Sequence, residues 1–331
     1  MHLFKRFSRF FIAASLTLLL HACSAPGKDG SHGSIVRLSI ATGGTGGVYY
    51  PYGGAIAKVI GESIPNVEAT AEVTAASVDN LKFLRDRKAD LAFTTADTLA
   101  DGVNGTGVFK DTKLPLRTIA ALYKNYIHVV TLASGPIKMM KDLKGKVVGT
   151  GSPGSGAEVA AFRILEAYGI DPQKDITRQG LGVSESTDAL KDGKVDAFFW
   201  SGGLPTAAIT DLAHTSGITI RILSNDDIVD YLRDKYGNGL YVKGLLPKAT
   251  YPGLVGDVGV ISTTNLLVVH ADMDEKLAYE ITKAMFDRRA ELVAIHPEAA
   301  NLSLESAVKE SPAPFHPGAI RYYKEQHVWP E

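Results

Sequence analysis

Short apolar runs alternate with segments of helical period along most of the chain. Residues 35–41 alternate apolar and polar positions and predict a strand. They run into Gly43-Gly44-Thr45-Gly46-Gly47-Val48-Tyr49-Tyr50-Pro51, and residues 55–60 then present a helix face. Pro51 suits a first helical turn, where its missing N–H costs nothing. The glycines therefore form a strand-to-helix turn whose free amides point outward at a helix N-terminus. That geometry attracts an anion without lysine or arginine. Residues 67–73 predict another strand, and Ser77 is placed to cap a helix over 78–86, with Leu81 and Leu84 on one face. Residues 87–93 enter a short buried strand ending at Thr94-Thr95-Ala96-Asp97, and a helical run follows. The β-branched stretches 117–123 and 127–133 predict two further strands.

The pattern then returns. Residues 146–149 predict a strand, Gly151-Ser152-Pro153-Gly154-Ser155-Gly156 a second glycine turn, and 157–168 a second helix stopped by Gly169. Residues 186–191 are helical, and 193–199 lead to a strand ending at Trp200-Ser201-Gly202-Gly203, with Pro205 opening another helix. Lys88-Ala89-Asp90 matches Lys194-Val195-Asp196. Strands alternating with helices imply an α/β fold with parallel sheets. Ligands in such sheets sit beyond the carboxyl ends of the strands. Two lobes facing each other would enclose one ligand between the glycine turns and strand ends. Further on, residues 266–270 predict a strand returning to the first lobe, 274–295 one long helix, and 318–325 a last helix, with Val328 and Trp329 packing on the body. The lobes are drawn as 35–126 plus 267–331 and as 127–266.

Composition narrows the field. The chain has 331 residues, a net charge of -1 and 45% hydrophobic residues, enough for two domains and without the charge excess that nucleic acid binding demands. Lys5, Arg6 and Arg9 precede a short apolar run over 10–20 that ends Leu20-His21-Ala22-Cys23. This resembles a bacterial lipobox: a signal peptide over 1–22, Cys23 lipidated, and a Gly/Ser-rich tether over 23–34 on the membrane. The alternative is a simple signal peptide cut near Ala22 or Ala25. Cys23 is the only cysteine, which excludes intrachain disulfides and cysteine-rich metal sites. No metal or cofactor is expected, and a monomer is.

The candidate site follows from the turns. An anion would be held by the amides of Gly44, Thr45, Gly46, Gly47, Gly154 and Gly156 and by the hydroxyls of Thr45, Ser152 and Ser155. Tyr49 or Tyr50, and Trp200 beside Gly202 and Gly203, would wall the ligand. Thr95 and Asp97 would meet a ligand amine or hydroxyl. His128, at the lobe crossing, reads as structural, with titration near neutrality as the alternative, and Asp90 and Asp196 read as turn or capping residues.

The motifs 41–51, 151–156, Asp196-Ala197-Phe198-Phe199-Trp200-Ser201-Gly202-Gly203 and Phe315-His316-Pro317-Gly318-Ala319-Ile320-Arg321-Tyr322-Tyr323, in that order, resemble the TAXI class of solute-binding proteins. That class serves TRAP (tripartite ATP-independent periplasmic) transporters. The likeness runs from Leu38 to Trp329. It implies a two-lobed periplasmic-binding-protein fold of type II, the Venus-flytrap kind, with two hinge crossings. It implies capture of glutamate, glutamine or a dicarboxylate such as 2-oxoglutarate for sodium-coupled TRAP membrane subunits. Members often carry glutamine after the first Asp-x-Ala-x strand, where this chain has Thr95.

Two other classes compete. Gly149-Thr150-Gly151-Ser152-Pro153-Gly154 fits G-x-G-x-x-G, which would make a nucleotide-binding enzyme. No acidic residue follows at the spacing a ribose needs, Ala157 stands where a Walker lysine would, and Pro153 breaks a G-x-S-x-G match before Ser155. The expectation is therefore a carrier and not an enzyme. A sensor subunit would use the same closure to signal to a different partner.

Overall fold

Both glycine turns open α/β units, and the computed structural model builds the two units alike. It describes residues 34–309 and 311–330. The expected signal peptide, Cys23 and the tether as far as residue 33 lie outside the described residues. In the first half β1 (Val36–Ala41) leads to α1 (Tyr49–Ser63), β2 (Val67–Glu72), α2 (Ser77–Arg85), β3 (Leu91–Thr95) and α3 (Ala96–Asn104), and then to β4 (Leu116–Leu132). The second half runs β5 (Val147–Gly149), α4 (Gly156–Ala167), β6 (Thr177–Gln179), α5 (Val183–Lys191), β7 (Ala197–Gly202), α6 (Ala207–His214) and β8 (Ile220–Ile222). Next come α7 (Val229–Tyr236), β9 (Val242–Leu246) and β10 (Val258–His270). The chain closes with α8 (Glu275–Asp287), α9 (Arg289–Ile295), α10 (Leu304–Ala307) and α11 (Pro317–Glu325).

The pairing repeats. β1 lies parallel to β2 and β3, and β5 lies parallel to β6 and β7. β3 then takes an antiparallel neighbour, β10, which is flanked in turn by β4. β7 takes the antiparallel β4, which is flanked in turn by β8. Each half thus has the same five-strand order, with an antiparallel strand fourth along. Those fourth strands, β10 and β4, pass between the halves. β4 pairs with β10 over 116–126 and with β7 over 126–131. β10 pairs with β9 over 258–262 and with β3 over 265–269.

Two predicted elements change for a physical reason. The separate strands expected at 117–123 and 127–133 are one strand of 17 residues. Lys124-Asn125-Tyr126 interrupts the apolar run but not the ladder, because it marks the passage between the halves. The helix expected over 274–295 breaks at Arg288, whose φ of -113° and ψ of 25° leave helical space. Its guanidinium pairs instead with Glu62 of α1 and with Glu291 at 2.6 Å.

Apolar cores sit on both sides of the crossing strands. Ile40, Phe93 and Leu267 of the sheet pack with Ile56 of α1, Ile281 of α8 and Tyr323 of α11. In the second half Val148 and Phe199 pack with Ile164 of α4 and Leu232 of α7. β3 is buried along its whole length, as a strand covered on both faces must be. Trp329 packs on Phe315 with ring centroids 5.2 Å apart. The echoed aspartates do one job twice. The Asp90 carboxylate accepts the Ser39 amide at 2.8 Å, and the Asp196 carboxylate accepts the Val147 amide at 2.8 Å. Each also donates its own amide back to the same residue's carbonyl.

His128 is fully buried on β4. Its Nδ1 lies 2.8 Å from the Tyr126 carbonyl and its Nε2 3.0 Å from the Tyr251 hydroxyl. A carbonyl only accepts, so Nδ1 carries the proton. Burial pushes the ring's pKa down to about 4. It therefore stays neutral at pH 7, which fits the structural reading and not the alternative of titration near neutrality. Unfolded, the same ring protonates near its ordinary 6.5. Below that value the unfolded chain binds the extra proton, so stability is complete above 6.5 and is lost as pH falls toward 4. Between pH 7 and pH 5 the wild type is expected to lose about 2 kcal/mol that His128→Gln does not. Urea unfolding at the two pH values measures this, and equal losses would contradict it.

Candidate functional site

Six strand ends, three from each half, meet at one cavity of about 300 Å³. The first half supplies the turn after β1, residues 73–77 after β2, and Thr95 at the end of β3. The second supplies the turn after β5, residues 182–185 after β6, and the end of β7. Carboxyl ends of strands are where such sheets place ligands. Four helices, α1, α2, α4 and α5, start at this cavity. Ser155 caps α4, its Oγ accepting the Glu158 amide at 3.1 Å. The other three starts have no side-chain cap; in α2 the Asp79 amide donates to the Gly154 carbonyl, and the other first-turn amides are left for water or a ligand. Ser77, expected as a cap, is instead the first residue of α2, behind Ala76 at φ 88°. Among the described residues, the amides of Thr45, Gly46 and Val48 meet no protein acceptor. Among the described residues no lysine, arginine or histidine lines the cavity, and the one charged side chain there is the exposed Glu185.

The structure brings most of the residues singled out from the sequence to this cavity. Gly44, Thr45, Gly46, Gly47, Tyr49 and Thr95 line it from the first half, and Ser152, Ser155, Gly156, Trp200 and Gly202 from the second. Four stand elsewhere. Tyr50 is half-buried away from the cavity, because its neighbour Tyr49 takes the inward position. Asp97 lies two residues past Thr95, about 200° around the helix, and is buried facing the opposite side. It accepts the Tyr241 hydroxyl at 2.6 Å and the Thr98 amide at 2.8 Å. Gly154 abuts Asp79, whose amide donates to its carbonyl at 3.1 Å. Gly203 abuts the buried carboxylate of Glu298.

The glycines allow the halves to touch. A Cβ on Gly156 would lie 2.8 Å from Ser77 Oγ and 2.9 Å from Thr95 Oγ1, both across the cleft. A Cβ on Gly47 would lie 2.9 Å from the Trp200 ring. That ring is fixed, its Nε1–H donating to Thr206 Oγ1 at 2.9 Å. A side chain on Gly46 would run into Ser184, Val183 and Ala208.

Sequence reasoning missed the cavity's crossing-strand wall, Tyr123 and Asn125. The Tyr49 hydroxyl donates to Asn265 Oδ1, Asn265 Nδ2 donates to Asn125 Oδ1 at 2.6 Å, and Asn125 Nδ2 donates to Ser201 Oγ at 3.2 Å. Burial pushes the pKa of both Tyr49 and Tyr123 well up, so both hydroxyls are neutral. Nothing in the pattern marked Asn125, which sits where a loop was expected. Gly182 and Ser184 were missed although a signal was present: Gly180-Leu181-Gly182 is a third glycine-containing strand-to-helix turn. The fully buried Asn80 was also missed. Its Nδ2 donates to the carbonyls of Thr42 at 2.7 Å and Phe93 at 2.8 Å, fixing α2 to the ends of β1 and β3.

Topology and cleft together define a two-lobed protein of the periplasmic-binding-protein fold, as expected. The chain belongs to the NMT1-like family, whose model matches residues 40–326. Among solved structures, a Bordetella bronchiseptica RB50 protein is 19% identical, covering 89% of this chain and 90% of that one, with a TM-score of 0.50. The periplasmic aliphatic sulphonate binding protein SsuA from Escherichia coli is 16% identical, covering 88% of this chain and 84% of that one, with a TM-score of 0.44. A putative L-cystine ABC transporter from Listeria monocytogenes is 18% identical, covering 81% and 98%, with a TM-score of 0.48. The likeness to the Bordetella protein speaks to the fold alone, and the family matched is not specific to the TAXI class.

Gly156→Ala is expected to wedge the halves apart at a stability cost of about 1–3 kcal/mol. Solution scattering would show a larger radius of gyration with unchanged circular dichroism. Scattering identical to wild type would mean that the contact yields without opening.

Proposed function

We propose that this protein is an extracytoplasmic solute-binding protein. It captures a small carboxylate (glutamate, glutamine or a dicarboxylate such as 2-oxoglutarate) and delivers it to TRAP membrane subunits, performing no chemistry on it. The observation that carries this reading is the cavity shared by both halves, ringed by helix starts and free of basic side chains. Each helix-end contact contributes about 0.3–2 kcal/mol, so four of them reach at most the scale of a micromolar complex. Such strength suits a carrier that must release its load. A volume of about 300 Å³ is at the lower end for small-molecule sites and matches a five-carbon acid. Tyr49, Tyr123 and Trp200 offer apolar wall to its carbon chain, and Ser77, Thr95 and Ser184 line the same space with hydroxyls.

Binding would proceed by hinge closure. β4 and β10 are the covalent links that bend, and a carboxylate bridging both glycine turns binds the closed state better, which shifts the population. The TRAP partner rests on the motif resemblance, and the membrane tether on Cys23. The nucleotide reading finds less support. β6 ends at Gln179, followed by Gly180, with no acid there for a ribose. The Gly154 amide, which would face a pyrophosphate, already donates to the Glu158 carboxylate at 3.0 Å.

Native mass spectrometry of freshly purified protein would identify a co-purifying solute. Thermal shift would then compare L-glutamate, L-glutamine, 2-oxoglutarate, an aliphatic sulfonate and NAD. At a hundredfold excess over Kd, a carboxylate is expected to add about 2.7 kcal/mol of stability. Stabilisation by the sulfonate alone would refute the carboxylate assignment, and stabilisation by NAD alone would refute the carrier.

A further inference from the structure

We propose that Asp97, Asp101, Arg163 and Tyr241 form a latch between the two halves that positions the glycine turns face to face before any solute arrives. Asp97 and Asp101 lie one turn apart on α3, in the first half. Arg163 lies on α4 and Tyr241 just before β9, in the second. Arg163 donates to Asp101 Oδ2 at 2.6 Å and to the Tyr241 hydroxyl at 3.1 Å. The Tyr241 hydroxyl in turn donates to Asp97 Oδ2 at 2.6 Å. The tyrosine hydroxyl thus accepts from one charged group and donates to another, which completes a directed chain.

The four side chains are buried, with exposures of 1% for Asp97, 7% for Asp101, 7% for Arg163 and 0% for Tyr241. None of them lines the cavity. Two carboxylates and a guanidinium are costly to hold out of water, so their presence here asks for a role beyond filling space. Each half also holds its own part in place. The Thr106 hydroxyl donates to Asp101 Oδ1 at 3.0 Å. Any side chain on Gly107, at φ 53°, would collide with the Asp101 carboxylate. Asp97 sits in the first turn of α3, where the helix start favours a negative charge. On the other side the Arg163 guanidinium lies over the Tyr236 ring, 4.1 Å from its centroid. Both surfaces are therefore shaped in advance for each other.

Such a latch adds little net energy, because desolvation offsets most of the attraction. It selects one relative pose, the pose in which Gly46, Gly47 and Gly156 meet the opposite half. Breaking it strands a charge and releases that pose. These four are positioning residues: they act on the solute only through closure.

The test uses the mature chain, exhaustively dialysed and without added solute, so it stands whatever the ligand proves to be. Arg163→Met is expected to raise the radius of gyration in solution scattering and to lower the urea midpoint. The double variant Arg163→Met with Asp101→Asn removes the stranded charge. Its urea midpoint is expected to recover toward wild type while its scattering stays expanded. Recovery of both together, or scattering of the single variant identical to wild type, would overturn the latch. If Arg163→Met does not fold, Tyr241→Phe decides: it keeps the Arg163–Asp101 ion pair, loses the hydroxyl's bonds to both Arg163 and Asp97, and is expected to expand the particle. Unchanged scattering there would also overturn it.

Discussion

The close approach of glycine backbones to side chains of the opposite half, across one cleft, governs everything else in this molecule. Amides can face a solute from both sides only if no side chain keeps the halves apart, which is the condition Gly46, Gly47 and Gly156 meet. The approach has an electrostatic cost. Each helix start carries roughly half a positive charge, and four of them face one small space. First-turn acids offset three: Asp79 in α2, Glu158 in α4 and Glu185 in α5. The first turn of α1 has none. Its turn also holds the free amides of Thr45, Gly46 and Val48, so the strongest uncompensated field in the cavity belongs to the first glycine turn.

The halves are equivalent in topology and unequal in chemistry. The same strand order, the same crossing position and the same aspartate–amide clasp recur, through Asp90 in one half and Asp196 in the other. The first half contributes the open turn. The second contributes a capped helix, through Ser155, and a rigid wall, through Trp200.

Local periodicity made much of this legible. Strand, turn and helix recur at fixed spacing, and the glycine turns are conspicuous because each lies between an apolar strand and a helical face. Long-range features were not legible. Lys124-Asn125-Tyr126 is polar by local pattern, yet it continues a strand because β10 lies alongside to receive its backbone. Asp97 looks like a ligand residue from its position at a strand end, but helical rotation turns it away, and its partner Tyr241 lies 144 residues distant, just before β9. Arg288 breaks a helix that sequence period carries straight through, since its charge is drawn to Glu62 on α1. In each case the deciding contact comes from a segment that no local window contains.

The crossing strands themselves tie the wall of the cavity to the hinge. Asn125 on β4 and Asn265 on β10 bond each other directly beside the point where both strands change partners. Tyr49, at the start of α1, is anchored to Asn265, and Ser201, at the end of β7, to Asn125. A group pressing on Tyr49 therefore acts on both crossings at once. Apolar residues at 125 and 265 would have given a tighter core and a stiffer joint, since hydrophobic packing has no preferred direction of release. A buried amide pair is geometrically exacting and exchanges readily for water when the strands part. That combination suits a hinge that must have one closed pose and a low barrier to leaving it.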